Sequence, residues 1–163
     1  MEPQEIFRAL ADEQVEYVLI GGLAATIHGA SLVTLDTDVC IRQSPANCER
    51  MARALERLGA EIYPTRQVPI PITADLLQTH RLVHLRTKAG RLDLITSVPG
   101  LGTFEEFAHG STTIQLDDVT IPVLTLDQLI QAKSAMNQAK DREHLDQLLA
   151  IREMKQSPPR SGG

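Results

Sequence analysis

Two acidic residues stand in a segment that otherwise predicts a buried β-strand, and they constrain the fold more than any other feature. Asp36 and Asp38 alternate with apolar and β-branched residues over 36–42, so both carboxylates point to one face of the strand. Two such groups are costly in a core unless a positive charge lies between them, and Mg²⁺ prefers oxygen ligands. From this motif alone, two solvated acids on an exposed strand face remain the simpler interpretation.

A third acid stands in a similar apolar setting. Asp93 lies between two leucines in the segment 91–96, which predicts another strand, and a buried acid needs a partner. If this strand neighbours the first, three carboxylates converge on one point, the arrangement that holds two metal ions for phosphoryl transfer. Cys40 alternates onto the same strand face as Asp36 and Asp38, and we interpret it as a buried thiol.

The rest of the chain alternates between helical and strand patterns. Periodicity, capping and turn signals predict helices near Pro3, at 23–28, at 44–59 and in two segments from Thr125 onward, and strands at 15–20, 36–42, 60–63, 81–86, 91–96, 112–116 and 119–123. The proline-rich segment 64–71 is predicted to be irregular, as a candidate lid or substrate loop. This mixture favours an α+β (mixed α/β) fold, with a mixed β-sheet covered by helices and C-terminal helices. We expect one domain over 1–154 and a disordered tail over 155–163.

Composition excludes several classes of protein. The 163 residues carry a formal net charge of -5, 3% aromatic residues and two cysteines. An extended duplex-DNA-binding surface usually needs a basic footprint, and a disulfide scaffold needs more cysteines. No run of apolar residues is long enough for a transmembrane helix, and the acidic N-terminus lacks the pattern of a signal peptide. These features predict a soluble cytoplasmic protein with no membrane partner.

A glycine pair marks the end of the first predicted strand. Gly21 and Gly22 stand where the strand turns into a helix, and glycine allows a phosphate to approach the backbone closely. Taken alone, such a pair is more often a tight turn than an anion site. Its position, about fifteen residues before the two acids, is what makes it a candidate phosphate contact.

The segments 20–29 (IGGLAATIHG) and 34–38 (TLDTD) together resemble the nucleotidyltransferase superfamily with the DNA polymerase β-like core. The nearest pattern is its small bacterial branch, which includes the AbiEii-type toxin-like and minimal nucleotidyltransferases. That pattern pairs a glycine turn with a downstream D-x-D and a later single Asp. The similarity continues through 87–95 (TKAGRLDLI), Pro99-Gly100, 121–133 and Lys140-Asp141, and so covers about residues 15 to 150.

The resemblance implies a mixed-sheet core that transfers a nucleotide from a nucleoside triphosphate, such as ATP, to an acceptor hydroxyl. Asp36 and Asp38 would then bind two Mg²⁺ (or Mn²⁺) ions, and Asp93 would share the catalytic metal and help to deprotonate the acceptor. Gly21 and Gly22 would contact the triphosphate. The acceptor is an RNA, a protein side chain in a toxin–antitoxin setting or a small molecule, and a homodimer or partner protein would supply further acceptor surface.

The chain also departs from this pattern. Leu32, Leu35 and Gln138 stand where basic residues are common in the family, and each change removes a potential triphosphate contact. These losses motivate a second interpretation, a catalytically degenerate nucleotidyltransferase-fold binding or toxin–antitoxin module. The three acids remain, which favours the enzyme.

A lysine interrupts the apolar stripe of the first C-terminal helix. Lys133 is expected to contact the triphosphate, to form a buried ion pair with Asp141 or to extend its amine to solvent. The five histidines show no metal-ligand spacing. His28, at the end of the helix after the glycines, is interpreted as a packing or capping residue.

Overall fold

A seven-stranded mixed sheet forms the centre of the computed structural model, which describes residues 2–136 and 138–157. Along the chain the elements are α1 (Pro3–Asp12), β1 (Tyr17–Ile20), α2 (Gly21–Ile27), β2 (Asp36–Ile41), α3 (Pro45–Arg57), β3 (Glu61–Ile62), α4 (Ala74–Thr79), β4 (Leu82–Thr87), β5 (Gly90–Ile95), β6 (Ser97–Val98), β7 (Gly102–Thr103), α5 (Phe104–Phe107), a 3₁₀ turn (Ala108–Gly110), β8 (Thr112–Leu116), β9 (Val119–Val123), α6 (Leu126–Met136) and α7 (Ala139–Gln156). The mixed sheet with C-terminal helices confirms the predicted fold class.

The strand order is β3-β4-β5-β2-β1-β9-β8. β2 is antiparallel to β1 and parallel to β5, and β9 is parallel to β1. The hairpins β4–β5 and β8–β9 are both antiparallel, as their turn signals predict. The order places β2 beside β5, so the two strands that carry the predicted site acids are neighbours.

The helix ends follow local capping signals. The Ser44 side chain accepts a hydrogen bond from Asn47 N, and Pro45 occupies the first turn of α3. Thr125 and Gln128 form the reciprocal bonds of a capping box before α6. α4, which the sequence analysis did not predict, begins in the same way, since Thr73 Oγ1 accepts from Leu76 N.

The two faces of the sheet differ in character. Val39, Leu92 and Leu94 on the central strands are at most 2% exposed, and Ile6, Leu10, Met51 and Leu55 from α1 and α3 belong to the same apolar core. Their burial supplies most of the driving force for folding. The opposite face of β2 and β5 carries the acids; α2 packs against β2 and β1, and α6 contacts α2.

The last helix extends past the predicted domain end. α7 continues to Gln156, so residues 155 and 156, which the sequence analysis assigns to the tail, are helical. The helix ends at Ser157 because the following residue is a proline, which disfavours helical geometry before it. The remainder of the predicted tail, 158–163, lies outside the described residues. Within the described ranges, none of the helices combines the length and apolar character that crossing a lipid bilayer requires.

Candidate active site

Strand register brings the predicted acids together on one face of the sheet. The parallel β2–β5 pair places Asp38 opposite Asp93 and Asp36 opposite Arg91. Directly opposed residues on adjacent strands project from the same face. The antiparallel β4–β5 pair extends the first of these rows, since His84 lies opposite Asp93.

Asp38 and Asp93 are close enough for their side chains to share a hydrogen bond. Burial, the negative charge of Asp93, their hydrogen bond and the charge of Asp36 together raise the pKa of Asp38 to about 7, while His84 acts in the opposite direction. Without a cation, Asp38 is therefore partly protonated near neutral pH.

Two basic side chains, His84 and Arg91, lie beside the acids. Asp93 Oδ1 lies 2.8 Å from His84 Nδ1, and the exposed fractions of these side chains are 20% and 52%. Asp36 Oδ1 lies 3.9 Å from Arg91 Nη1, which is beyond hydrogen-bonding distance. That Asp36 oxygen is buried and has no hydrogen-bond partner among the described residues.

These observations fit a divalent cation. The raised pKa of Asp38 beside Asp93, and a buried Asp36 oxygen with no hydrogen bond among the described residues, both favour a positive charge at this point. Three carboxylates are also the oxygen donors that Mg²⁺ and Mn²⁺ prefer. In the described part of the chain, no three His, Cys, Asp or Glu side chains are placed so that together they could hold a metal ion, so Asp36 does not join the other two acids in one ligand set. The assembled part of the donor set is Asp38 with Asp93.

The glycine pair packs directly against these acids. Gly21 has φ +72°, and a Cβ at this position would collide with Asp38 Oδ2. A Cβ on Gly22 would lie 3.2 Å from Thr34 Oγ1, which is also tight. The absence of side chains therefore allows the start of α2 to approach β2 closely at Asp38.

A cavity of about 280 Å³ opens beside the acids. It is lined by Gly21, Gly22, Asp38, Asp93 and Lys133, together with apolar side chains that include Ile95, Val98 and Leu129. A larger cavity, of about 500 Å³, lies between α3 and the segment 60–72; the candidate loop 64–71 lines it, but none of the predicted catalytic, metal or triphosphate residues does. The smaller cavity is the candidate substrate site because the chemistry lies there.

Lys133 forms an ion pair with Asp141, which is one of the three roles that the sequence suggests for this lysine. Its Nζ lies 2.9 Å from Asp141 Oδ1, and the exposed fractions of the two side chains are 18% and 4%. Lys133 nevertheless lines the cavity, so the pair joins α6 to α7 at the wall of the candidate site. His28 Nε2 lies 2.8 Å from the Leu124 carbonyl oxygen, in agreement with a packing role.

Sequence reasoning missed the basic and aromatic groups around Asp36. Arg91 Cζ lies 4.4 Å from the centroid of the Tyr63 ring, and Arg91 Nη2 donates a 2.8 Å hydrogen bond to Tyr63 Oη. The Tyr63 backbone N–H donates to the His84 carbonyl oxygen, 2.9 Å away. Arg91 and Asp93 are two residues apart on one predicted strand and so share a face, which was a usable signal for the arginine. Nothing local indicates Tyr63, because its position depends on the pairing of β3 with β4.

No family model matches the sequence, and no curated protein matches it either. Solved structures do resemble it. The lincosamide antibiotic adenylyltransferase LnuA, in its lincomycin-bound crystal structure, has a TM-score of 0.59 at 17% identity, covering 91% of this chain and 96% of that one. TM1012 of Thermotoga maritima, assigned to the nucleotidyltransferases, has a TM-score of 0.55 at 15% identity, with coverages of 90% and 89%.

The solution structure of the antibiotic-resistance factor ANT(2'')-Ia gives a TM-score of 0.51 at 11% identity and covers 93% of this chain and 88% of that one. Each similarity extends over nearly the whole of both chains. The narrower resemblance to the AbiEii-type branch stays a prediction. The chain has the fold of the nucleotidyltransferase superfamily.

Proposed function

We propose that the protein is a metal-dependent nucleotidyltransferase that moves a nucleoside monophosphate from a nucleoside triphosphate to an acceptor hydroxyl. The observation that carries the proposal is the Asp38–Asp93 pair, two opposed carboxylates that share a hydrogen bond at the wall of a cavity. Asp36 lies two residues before Asp38 on the same face of β2, and it would have to move toward the pair to complete the donor set. Together these three would hold Mg²⁺ or Mn²⁺. The fold of the solved antibiotic adenylyltransferase supports this chemistry.

The reaction is a displacement at the α-phosphorus. The acceptor oxygen forms a bond to this phosphorus, and the bond between the phosphorus and the oxygen that bridges to the β-phosphate breaks. The electron pair leaves with pyrophosphate, and the hydroxyl proton passes to a carboxylate oxygen of Asp93. Bound divalent cations supply positive charge that stabilises the phosphates.

The surrounding residues position these groups. His84, 2.8 Å from Asp93 Oδ1, restrains the carboxylate that receives the proton. Gly21 and Gly22 leave room for phosphate oxygens beside Asp38. The apolar cavity wall accommodates a nucleoside and excludes water, and Lys133 places a positive charge at its edge.

The proposal is tested by calorimetry with each nucleoside triphosphate in the presence of Mg²⁺, followed by a pyrophosphate-release assay with total cell RNA and protein as acceptors. Wild-type protein is expected to bind a nucleotide only with the metal and to release pyrophosphate. Asp38→Asn should abolish release while the protein stays folded. Asp146→Asn, at an exposed position on α7, is the matched control and should retain full activity. Full activity of Asp38→Asn would disprove the mechanism.

A second candidate is a binding or toxin–antitoxin module that has the fold without turnover. The supporting observation is the loss of basic residues at positions 32 and 35, since the Leu35 side chain is instead a 71% exposed apolar group beside the acids on β2. This candidate predicts no metal-dependent triphosphate binding and no pyrophosphate release from any acceptor mixture. The same calorimetry therefore separates the two functions.

A further inference from the structure

The two edges of the seven-stranded sheet differ in their protection. On one side the sheet ends at β3, which has only two residues and is closely followed by Pro64. On the other side it ends at β8, with five residues. Proteins commonly protect an exposed edge with a short strand, a charge or a proline. The β3 edge has such protection, whereas the segment 111–116 (STTIQL) contains neither a charge nor a proline.

The β8–β9 hairpin fixes which backbone groups of β8 face inward. A two-residue turn at 117–118 joins the strands, and such a turn makes the flanking residues, Leu116 and Val119, a hydrogen-bonded pair. Hydrogen-bonded and non-hydrogen-bonded pairs alternate along an antiparallel ladder. Thr113 and Pro122 therefore form a non-hydrogen-bonded pair, which suits a proline because it has no N–H.

The remaining backbone groups of β8 point away from the sheet. By the same alternation, the N–H and C=O groups of Thr113 and Gln115 face the outer edge. Both residues are exposed, and the Gln115 side chain is held toward β9, since its Oε1 accepts a 2.8 Å hydrogen bond from Thr120 Oγ1. In the described part of the chain, β9 is the one element that packs extensively against β8. The outer edge of β8 is therefore open to another strand.

This edge is complementary to itself. When two β8 strands pair in antiparallel fashion about Ile114, Thr113 of each copy lies opposite Gln115 of the other, and these two residues exchange N–H···O=C bonds. Ile114 then meets its own counterpart in a non-hydrogen-bonded pair. Because the segment 111–116 is uncharged, the net charge of -5 places no like charges opposite each other along the pairing. The same register brings the acidic turn at 117–118 toward the end of the other strand that follows His109, a residue of opposite charge when it is protonated.

We propose that the outer edge of β8 pairs with the same edge of a second copy of this chain, in a two-fold symmetric dimer with one continuous sheet. An isologous contact closes on itself, and the protected β3 edge prevents further copies from adding. Ile114 and its counterpart project from one face of the sheet, so the two-fold axis is perpendicular to the sheet and both candidate sites open on the same surface of the dimer. The inference does not rest on the proposed function, since β1 and β9 separate β8 from the strands that carry the acids.

The first test measures self-association of the full chain by analytical ultracentrifugation over a range of concentrations. Thr113→Pro removes an outward N–H and no hydrogen bond to β9, and an edge strand accepts proline where its N–H side faces solvent. The matched control is Thr113→Val, which keeps the donor at the same position. We expect a monomer–dimer equilibrium for wild type and for Thr113→Val, and dimerisation at least about tenfold weaker for Thr113→Pro.

The second test determines the register by disulfide cross-linking. Opposed non-hydrogen-bonded residues have Cα atoms about 4.5 Å apart, within the range of a disulfide, whereas residues offset by two positions are about 7–8 Å apart. Ile114→Cys should therefore give a covalent dimer under mild oxidation. Thr113→Cys is the matched control and should stay monomeric on a denaturing gel, because residue 113 is offset by two positions from its counterpart. The native thiols of Cys40 and Cys48 are fully buried and do not compete.

Three results would overturn the inference. One is a wild-type chain that stays monomeric at every concentration, which would leave the edge to a strand of a different protein and decides the question even if a variant does not fold. Another is dimerisation of Thr113→Pro as strong as that of Thr113→Val, which would place the contact elsewhere. The third is equal cross-linking of Ile114→Cys and Thr113→Cys, as random collision or another register would give. Asp38→Asn should dimerise as wild type does, so failure of the dimer and failure of the proposed function are read separately.

Discussion

At the scale of single residues, the energetic conflict is concentrated in Asp38. Its carboxyl group is partly buried beside Asp93 and Asp36, and its pKa is raised from the ordinary value of 3.8 to about 7. Between these two pH values the folded protein holds a proton that the unfolded chain has released. The free energy of unfolding therefore decreases as pH rises through this range, by up to about 1.4 kcal/mol per pH unit for this one group.

We predict that Asp38→Asn removes this dependence. The free energies of unfolding are measured by urea denaturation without divalent ions. From pH 4 to pH 7, the value for wild type should fall relative to the value for the variant. The variant should be the more stable protein at pH 8 because its amide carries no charge to bury. Asp146→Asn, at an exposed site, should show no such trend. Parallel curves for wild type and Asp38→Asn would contradict the assignment.

Gly21 gives a second prediction at this scale. An alanine at φ +72° is strained, and its Cβ would also displace the Asp38 carboxylate. Gly21→Ala should therefore lower stability by about 1–3 kcal/mol and also abolish metal-dependent nucleotide binding. Gly29→Ala separates the two effects, because Gly29 has φ +109° but only Ile151 Cδ1, at 3.8 Å, near an added Cβ.

The control, Gly29→Ala, should lose stability in thermal unfolding and keep nucleotide binding in calorimetry. If Gly21→Ala binds nucleotide as wild type does, the close approach of α2 to Asp38 has no part in the site.

The residues that could be predicted are those whose chemistry conflicts with their local sequence. Asp36, Asp38 and Asp93 stand out because acids rarely occur in apolar strands. Arg91 raises no such conflict, since arginine is ordinary on an exposed strand face. Its place beside the acids follows only from the register that puts it opposite Asp36.

At the scale of elements, a buried ion pair joins α6 to α7. Lys133 and Asp141 are 18% and 4% exposed and lie 2.9 Å apart. Removing the cation from such a pair withdraws a close positive charge from a buried carboxylate. We predict that Lys133→Met lowers the unfolding free energy by about 3 kcal/mol in urea denaturation.

A matched double variant, Lys133→Met with Asp141→Leu, should recover most of that stability, because both charges are then absent. The alternative role of Lys133 has a different signature. Unchanged stability of Lys133→Met with a large loss of nucleotide affinity would show that the lysine serves the ligand and not the helix junction.

Elements with their own start signals were predictable, and the others were not. Ser44-Pro45 and the Thr125–Gln128 box identify the starts of α3 and α6 because capping is encoded locally. α4 has only six residues after a proline-rich stretch, too few for an apolar period to show. β6 and β7, with two residues each, depend on pairing with each other.

At the scale of the whole molecule, the candidate site is assembled only by non-local strand pairing. The hairpins β4–β5 and β8–β9 follow from their turns, but the parallel contacts of β2 with β5 and of β1 with β9 join distant parts of the chain. A sequence pattern fixes the face of each side chain and leaves the order of strands open. The meeting of Asp38 and Asp93 was therefore a conditional prediction, which the sheet order fulfils.

The labelling rates of the two cysteines show whether the core around β2 and α3 opens as one unit. Cys40 on β2 and Cys48 on α3 are both fully buried. Burial raises the pKa of Cys40 to about 12 and also raises that of Cys48. Since the thiolate is the species that reacts, both should be inert to a disulfide reagent at pH 8 in the native protein.

Labelling then requires an opening of the core. We predict that both cysteines react at the same slow rate in native buffer, followed by mass spectrometry, and that Cys40→Ser and Cys48→Ser variants each show that rate at the remaining thiol. The urea-unfolded chain, in which both should label rapidly, is the control. Selective fast labelling of Cys40 would mean that β2 separates locally from its neighbours, and the Asp38–Asp93 pair would then be intermittent in the folded protein.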